Sequence, residues 1–195
     1  IIPLCGTAKT TTQNWITLEG CKLALQSDVN YNNGDYISPP KKGLKAFSRN
    51  YTSTLFDKEG YEEGLHLNLF DGFEDTESYL NYMDAFFGSI DANDLLGMLN
   101  TWQMGDIGKH QKFNNNTKEA LANIKCPALV MPSSTDLSFP ARNNIPEVNE
   151  MPEAELVVIN TKHGHLAGGM STTLTSQDDV TFIDKNIKEF LKKIT

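Results

Sequence analysis

The sequence predicts an α/β fold in which helices cover both faces of a parallel sheet and a helical block is inserted between two of its strands. From residue 117 onward, short apolar runs alternate with helical patterns, which is typical of strand and helix units in a parallel sheet. Between residues 10 and 110, apolar residues recur at helical spacing instead. We therefore expect a sheet core formed by residues 1–9 and 111–195, and a helical insertion formed by residues 10–110.

Three apolar runs are the candidate strands. The first opens the chain at Ile1 to Gly6, and the others cover residues 126–131 and 155–160. A buried parallel strand needs neighbours on both sides, and the hundred residues after the first run offer none. We therefore expect that strands of the same sheet precede Ile1 in the protein.

Helical periodicity and capping residues predict the helices. They are expected at residues 10–28, 41–55, 76–88, 91–105, 117–124, 141–151 and from 176 to the end. Polar residues at 57–63 predict a loop. In the last helix, Asp178 and Asp179 suit the positive N-terminal end, and Lys192 and Lys193 suit the negative C-terminal end.

Charge and hydropathy exclude several classes of partner. The chain has 17 basic and 25 acidic residues, a net charge of -8 and no basic stripe, so we expect no nucleic acid partner. No apolar run approaches the roughly 18 residues of a membrane helix. The first residues also lack the pattern of an export signal, so we expect a cytoplasmic protein with no membrane contact.

An acidic residue and a histidine follow the second and third candidate strands. Asp136 and His165 would lie at the carboxyl edge of the sheet, where open parallel sheets form their sites. Acid before histidine is the order in Ser-His-Asp systems whose nucleophile comes first in the chain. The carboxylate would hold the imidazole by its Nδ1–H, leaving Nε2 to take a proton from a nucleophile. Asp136 and His165 are therefore the candidate catalytic residues.

Two other interpretations of these residues remain open at this point. Asp136 could cap a turn before Pro140, and His165 could be an ordinary loop histidine. Alternatively, His163 and His165 could bind a metal ion together with Asp136. Nothing else in the sequence supports a metal site, and we predict none.

Several stretches of sequence resemble the homoserine O-acetyltransferase family of the α/β-hydrolase superfamily, and they keep the family order. They are IPLCGTAKTT (2–11), LEGCKLAL (18–25), GDYISPP (34–40), KGLKAFSR (42–49), SYL (78–80), DANDLL (91–96), TWQMGD (101–106), ALVMPSSTDLSFP (128–140) and GH (164–165). The resemblance implies the C-terminal part of an α/β-hydrolase fold with a helical lid. It also implies that Asp136 and His165 are triad members, and that Arg49 lies near a lid arginine that reaches the substrate.

The resemblance further implies an O-acyltransferase that moves an acetyl group from acetyl-CoA to a small hydroxyl acceptor through a serine acyl-enzyme. Acetyl-CoA would be a co-substrate, and no bound cofactor is expected. The N-terminal half of the same fold would supply the nucleophile, and the lid would form a homodimer. Alternatives are a serine esterase that uses water as the acceptor, and a non-catalytic fragment or pseudo-enzyme module.

The sequence departs from the family pattern in two places. No G-x-S-x-G nucleophile motif is present, and Ser53, Ser89, Ser134, Ser171 and Cys5 all lack that context. In addition, an aspartate that contacts the homoserine amine usually follows the family's catalytic histidine, whereas Leu166 follows it here. We therefore expect an acceptor other than homoserine.

Overall fold

The computed structural model describes residues 1–70, 72–168 and 176–194. These residues form two compact units. The sheet unit comprises the described residues of Ile1–Lys9, Leu55–Asp71 and Asp106–Thr195, and the helical unit comprises Thr10–Thr54 and Gly72–Gly105. Within the described ranges, no helix is both long enough and apolar enough to cross a membrane.

The sheet is parallel. β1 (Ala128–Val130) and β2 (Ala154–Leu156) pair in register, with Leu129 opposite Glu155. The opening segment runs beside β1 in the same direction, because Leu4 forms a parallel bridge with Met131. The strand order is therefore opening segment, β1, β2. Two of the three predicted strands are confirmed in part: β1 lies within the run at 126–131, and β2 overlaps the start of the run at 155–160, with a further parallel bridge between Ser133 and Ile159. The opening run forms a parallel bridge rather than a regular strand.

The helices of the sheet unit are α3 (Lys58–Glu62), α6 (Thr117–Ala122), α7 (Ala141–Glu150) and α8 (Gln177–Ile194). Short 3₁₀ helices cover Leu65–Asn68, Gln111–Phe113 and Gly164–Gly168. α7 connects β1 to β2, as a parallel pair requires. The predicted helices at 117–124, 141–151 and after Ser176 are thus confirmed, with small shifts at their ends.

Side chains cover both faces of β1. All three of its residues are buried, and successive strand residues point to opposite faces. Leu129 belongs to a core cluster that includes Phe190 of α8. Val130 lies on the other face, where it lines a cavity together with Leu121 of α6 and Asn144 of α7. Helices therefore flank this strand on both faces, as the sequence predicted.

The last helix differs from its predicted packing at one end. The Ser176 hydroxyl caps α8 by accepting the Asp179 N–H at 3.0 Å, and Phe190 is buried. Leu191 and Ile194 were expected on the buried face, but they are 44% and 47% exposed. Ile183, Ile187 and Phe190 form the apolar stripe of α8 that packs in the core cluster. Leu191 lies to the side of this stripe and Ile194 lies in the terminal turn, so neither packs in that cluster.

The helical unit confirms the helices that were predicted within it. They are α1 (Thr12–Gln26), α2 (Lys41–Thr52), α4 (Thr76–Gly88) and α5 (Ala92–Gln103), with a 3₁₀ turn at Asn32–Gly34. Asp75 and Asp91 cap α4 and α5 with their side chains, which explains where both helices begin. Cys21 is buried in α1, and burial raises the pKa of its thiol to about 11.

Residues 55–71 are the main difference from the sequence prediction. Asp57 to Glu63 was predicted to be loop, but it contains α3, which Asp57 caps by accepting the Gly60 N–H at 2.7 Å. The segment also lies inside the predicted insertion, yet its described residues pack in the sheet unit. The Leu55 carbonyl accepts the His165 N–H there, at 2.9 Å. Tertiary contacts therefore stabilise a helix of only five residues.

Two helical glycines test the packing of the helical unit. A Cβ on Gly43 in α2 would lie 2.3 Å from the Leu25 carbonyl oxygen of α1. We expect Gly43→Ala to lower the free energy of unfolding by about 1–3 kcal/mol, because backbone must move to relieve the clash. In α1, a Cβ on Gly20 would meet no described atom within 4 Å.

Gly20→Ala is therefore the matched control, and we expect it to raise the free energy of unfolding by up to about 1 kcal/mol. Chemical denaturation of the full-length protein measures both effects. Equal stability of the two variants would show that α1 and α2 do not approach this closely.

Candidate active site

Asp136 lies in the turn that follows β1, and its side chain is fully buried. Its Oδ1 accepts the backbone N–H groups of Ser138 at 2.8 Å and Phe139 at 2.9 Å. The carboxylate thus caps a turn before Pro140, as one of the sequence interpretations proposed. This capping uses one oxygen and fixes the direction of the other.

The second oxygen of Asp136 contacts His165. His165 Nδ1 lies 2.9 Å from Asp136 Oδ2. A carboxylate only accepts hydrogen bonds when ionised, so Nδ1 carries the proton and Nε2 is left as the basic nitrogen. The His165 side chain is 31% exposed, whereas the Asp136 side chain is fully buried. The pair therefore combines a fixed, desolvated carboxylate with an accessible imidazole.

A backbone contact and an aromatic ring hold His165. Its N–H donates to the Leu55 carbonyl, as described above, and its ring lies 5.3 Å from the Phe139 ring between centroids. Neither contact was predicted from the sequence. Leu55 contributes only a carbonyl group, which no sequence pattern marks, whereas Phe139 could have been noted for its place three residues after Asp136.

Gly164 allows the histidine loop to pass close to residues 55–57. Its φ is +57°, and a Cβ at this position would lie 2.6 Å from the Leu55 carbonyl oxygen. Gly60 has a similar role on the other side of the contact, because its Cβ would lie 2.4 Å from the Lys162 carbonyl oxygen. The glycine before His165 is thus required by close packing as well as by the backbone conformation.

The metal-binding interpretation requires His163 and His165 to face one centre. His163 Nδ1 instead lies 3.0 Å from Thr161 Oγ1 and 3.4 Å from Asp179 Oδ2. Across residues 1–70, 72–168 and 176–194, no group of three or more His, Cys, Asp or Glu side chains is arranged to hold a metal ion. The two histidines therefore pair with different carboxylates.

Arg49, the predicted substrate-binding residue, belongs to α2 of the helical unit. Its guanidinium forms ion pairs with Glu77 at 2.7 Å and with Asp84 at 3.1 Å. These hydrogen bonds, the one to Glu77 first, raise the pKa of Arg49. Arg49 is thus held by two carboxylates of its own unit, and its contact with a substrate remains a prediction.

The described serines and the cysteine that lack the nucleophile motif have other contacts. The hydroxyl groups of Ser53, Ser89 and Ser134 donate to backbone carbonyls of Asn50, Phe86 and Thr161, respectively. Cys5 is buried in the core cluster of the sheet unit. Ser171 lies outside the described residues.

Known proteins resemble this chain in both sequence and structure. A probable esterase of Corynebacterium glutamicum is 33% identical over 193 residues, which cover 97% of this chain and 53% of that protein. An acetylester hydrolase structure from the same organism superposes with a TM-score of 0.86 at 32% identity, covering 98% of this chain and 53% of that one. The fold is that of the α/β-hydrolases. No family model matches the sequence.

Other relatives of this chain fall into two functional groups. An ethyl acetate hydrolase of Pseudomonas veronii is 28% identical, covering 84% of this chain and 46% of that protein. A homoserine O-succinyltransferase of Saccharophagus degradans is also 28% identical, and the match covers 80% of this chain and 45% of that protein. The chain spans about half the length of the relatives it matches. These relatives are esterases and homoserine O-acyltransferases of the α/β-hydrolase superfamily.

The contact at Gly164 gives a test of the His165 loop. We expect Gly164→Ala to lower the free energy of unfolding by about 2–5 kcal/mol, because the strain of a positive φ adds to a clash of the new Cβ against Leu55. Gly64→Ala is the control, since Gly64 also has a positive φ, +74°, but its Cβ would meet no described atom closer than 3.7 Å. It should cost only about 1–2 kcal/mol, the strain of the left-handed backbone.

Thermal unfolding of both variants in the full-length protein measures the difference. A Gly164→Ala variant that unfolds at or above the temperature of Gly64→Ala would contradict the close approach of the two backbones.

Proposed function

We propose that this chain carries the acid and base of a serine-type ester hydrolase that acts on small acetyl esters. The hydrogen bond between His165 Nδ1 and Asp136 Oδ2 is the observation that carries the proposal. A general base of this class needs a short hydrogen bond between a buried carboxylate and an accessible imidazole, which the pair provides. The nucleophile would come from the N-terminal half of the protein.

In the proposed reaction, His165 Nε2 takes the proton of the nucleophile hydroxyl as that oxygen attacks the ester carbonyl. The bond between the acyl carbon and the alcohol oxygen then breaks, and His165 returns the proton to the departing alcohol. Water attacks the acyl-enzyme with His165 again as the base, which releases the carboxylic acid and the free nucleophile. Asp136 holds the imidazole tautomer and stabilises the imidazolium in both steps.

Two observations favour water over homoserine as the acceptor. Leu166 directly follows His165, and its apolar side chain offers no acceptor for an amine, so an ammonium group beside it would lose hydration without compensation. The printed names of two relatives, the probable esterase and the ethyl acetate hydrolase, also describe ester hydrolysis. Both support hydrolysis as the leading proposal.

Acyl transfer from acetyl-CoA is the second candidate function. The resemblance of the motifs to homoserine O-acetyltransferases supports it, as does the homoserine O-succinyltransferase among the relatives. Both functions use the same acid and base and differ only in what attacks the acyl-enzyme. A homodimer formed by the lid, substrate contact by Arg49, and a cytoplasmic location remain predictions.

Variants at the pair test the proposed base. In the full-length protein, we expect His165→Ala to abolish hydrolysis of p-nitrophenyl acetate. Asp136→Asn should lower kcat by roughly 10⁴-fold, because an amide stabilises the wrong imidazole tautomer. His110→Ala is the control, since this histidine belongs to the same unit but is exposed and caps a 3₁₀ turn through Nδ1. Full activity in His165→Ala would overturn the proposal.

A competition experiment separates hydrolysis from acyl transfer. We expect the enzyme to release acetic acid from p-nitrophenyl acetate at the same rate with and without homoserine, because Leu166 provides no group to bind the amine. Mass spectrometry should detect no O-acetylhomoserine. If an acetylated acceptor forms faster than acetic acid, with acetyl-CoA or the ester as donor, the transferase candidate replaces the hydrolase.

A further inference from the structure

The hydroxyl group of Thr135 connects the two loops that carry the candidate catalytic pair. Its Oγ1 donates to the Thr161 carbonyl at 2.8 Å and accepts the Gly164 N–H at 3.2 Å. Thr135 directly precedes Asp136, and Gly164 directly precedes His165. One hydroxyl therefore joins the backbone immediately before the acid to the backbone immediately before the base.

We propose that Thr135 is a positioning residue for the reaction, which sets the distance and angle between Asp136 and His165. This inference rests on the proposed function, in which His165 is the general base. Thr135 acts through the loops and touches neither the substrate nor the imidazole in the proposed reaction.

The chemistry of the bridge requires a hydroxyl group. A hydroxyl has one proton to donate and lone pairs to accept, so it can satisfy a carbonyl and an N–H at the same time. Neither an alkyl group nor a carboxylate can do both. The branched side chain also restricts χ1 to few rotamers, which keeps the oxygen directed between the two loops.

The other contacts of the pair do not replace this bridge. The N–H groups of Ser138 and Phe139 orient Asp136 within its own turn, and the Leu55 carbonyl holds His165 from a third segment. The Ser134 hydroxyl also joins the two loops, but it bonds the N–H and the carbonyl of Thr161, three residues further from the base than Gly164. Of the described hydrogen bonds between the two loops, apart from that of the pair itself, the one from the Gly164 N–H to Thr135 lies nearest to the pair in sequence.

Loss of the bridge should affect catalysis more than binding. A misplacement of a catalytic group by about 1 Å can cost on the order of 100-fold in rate. In the full-length protein, we expect Thr135→Val, which keeps the shape but loses both hydrogen bonds, to lower kcat for p-nitrophenyl acetate by about 10- to 100-fold. KM should change little, and Thr135→Ser should recover most of the rate.

Ser134→Ala is the matched control, because it removes a neighbouring hydroxyl that joins the same loops without contacting Gly164. It should retain kcat near the wild-type value. A second readout is the downfield proton NMR signal of His165 Nδ1–H, identified by its loss in His165→Ala. We expect this signal to be lost by exchange with water in Thr135→Val and to persist in Thr135→Ser and Ser134→Ala.

The inference would be overturned if a folded Thr135→Val variant kept both the wild-type kcat and the NMR signal of His165 Nδ1–H. So would a Thr135→Ser variant as impaired as Thr135→Val, because the hydroxyl would then not be the group that matters. If Thr135→Val does not fold, Thr135→Ala carries the same expectations. If the wild-type protein hydrolyses no ester, the proposed function fails, and the NMR signal alone decides the role of Thr135.

Discussion

The carboxyl ends of β1 and β2 lie side by side because these two strands pair in parallel, with Leu129 opposite Glu155. The loops that follow the strands therefore leave the same edge of the sheet, and 29 residues of sequence separation become a contact of 2.9 Å between His165 and Asp136. An antiparallel pairing would place the two loops at opposite edges. The parallel direction of β1 and β2 thus decides whether the candidate site can form.

Burial of the Asp136 carboxylate then determines how that edge is arranged. An ionised carboxylate without water is costly unless its oxygens accept hydrogen bonds. Asp136 satisfies Oδ1 with two N–H groups of its own turn and Oδ2 with the imidazole. The turn-capping and catalytic interpretations are therefore parts of one arrangement. The cap stabilises the carboxylate in the orientation that the histidine requires.

Patterns carried by side chains made much of this molecule predictable. The helix at Thr76 to Gly88 and the pairing of Asp136 with His165 follow from apolar spacing, capping residues and chain order. The role of residues 55–60 did not, because Leu55 acts through a carbonyl group that every residue has, and Gly60 acts by lacking a Cβ. Tertiary contacts of this kind leave no local periodicity, so α3 was predicted to be a loop.

The described contacts that orient the acid and base come from the sheet unit, through Leu55, Phe139 and the turn after Asp136. Arg49, with its partners Glu77 and Asp84, belongs to the helical unit. Esterases and homoserine O-acyltransferases both occur among the relatives of this chain. In the proposed function, proton transfer relies on the contacts of His165 with Asp136, whereas the choice between water and another acceptor relies on residues outside those contacts, such as Leu166 of the same unit.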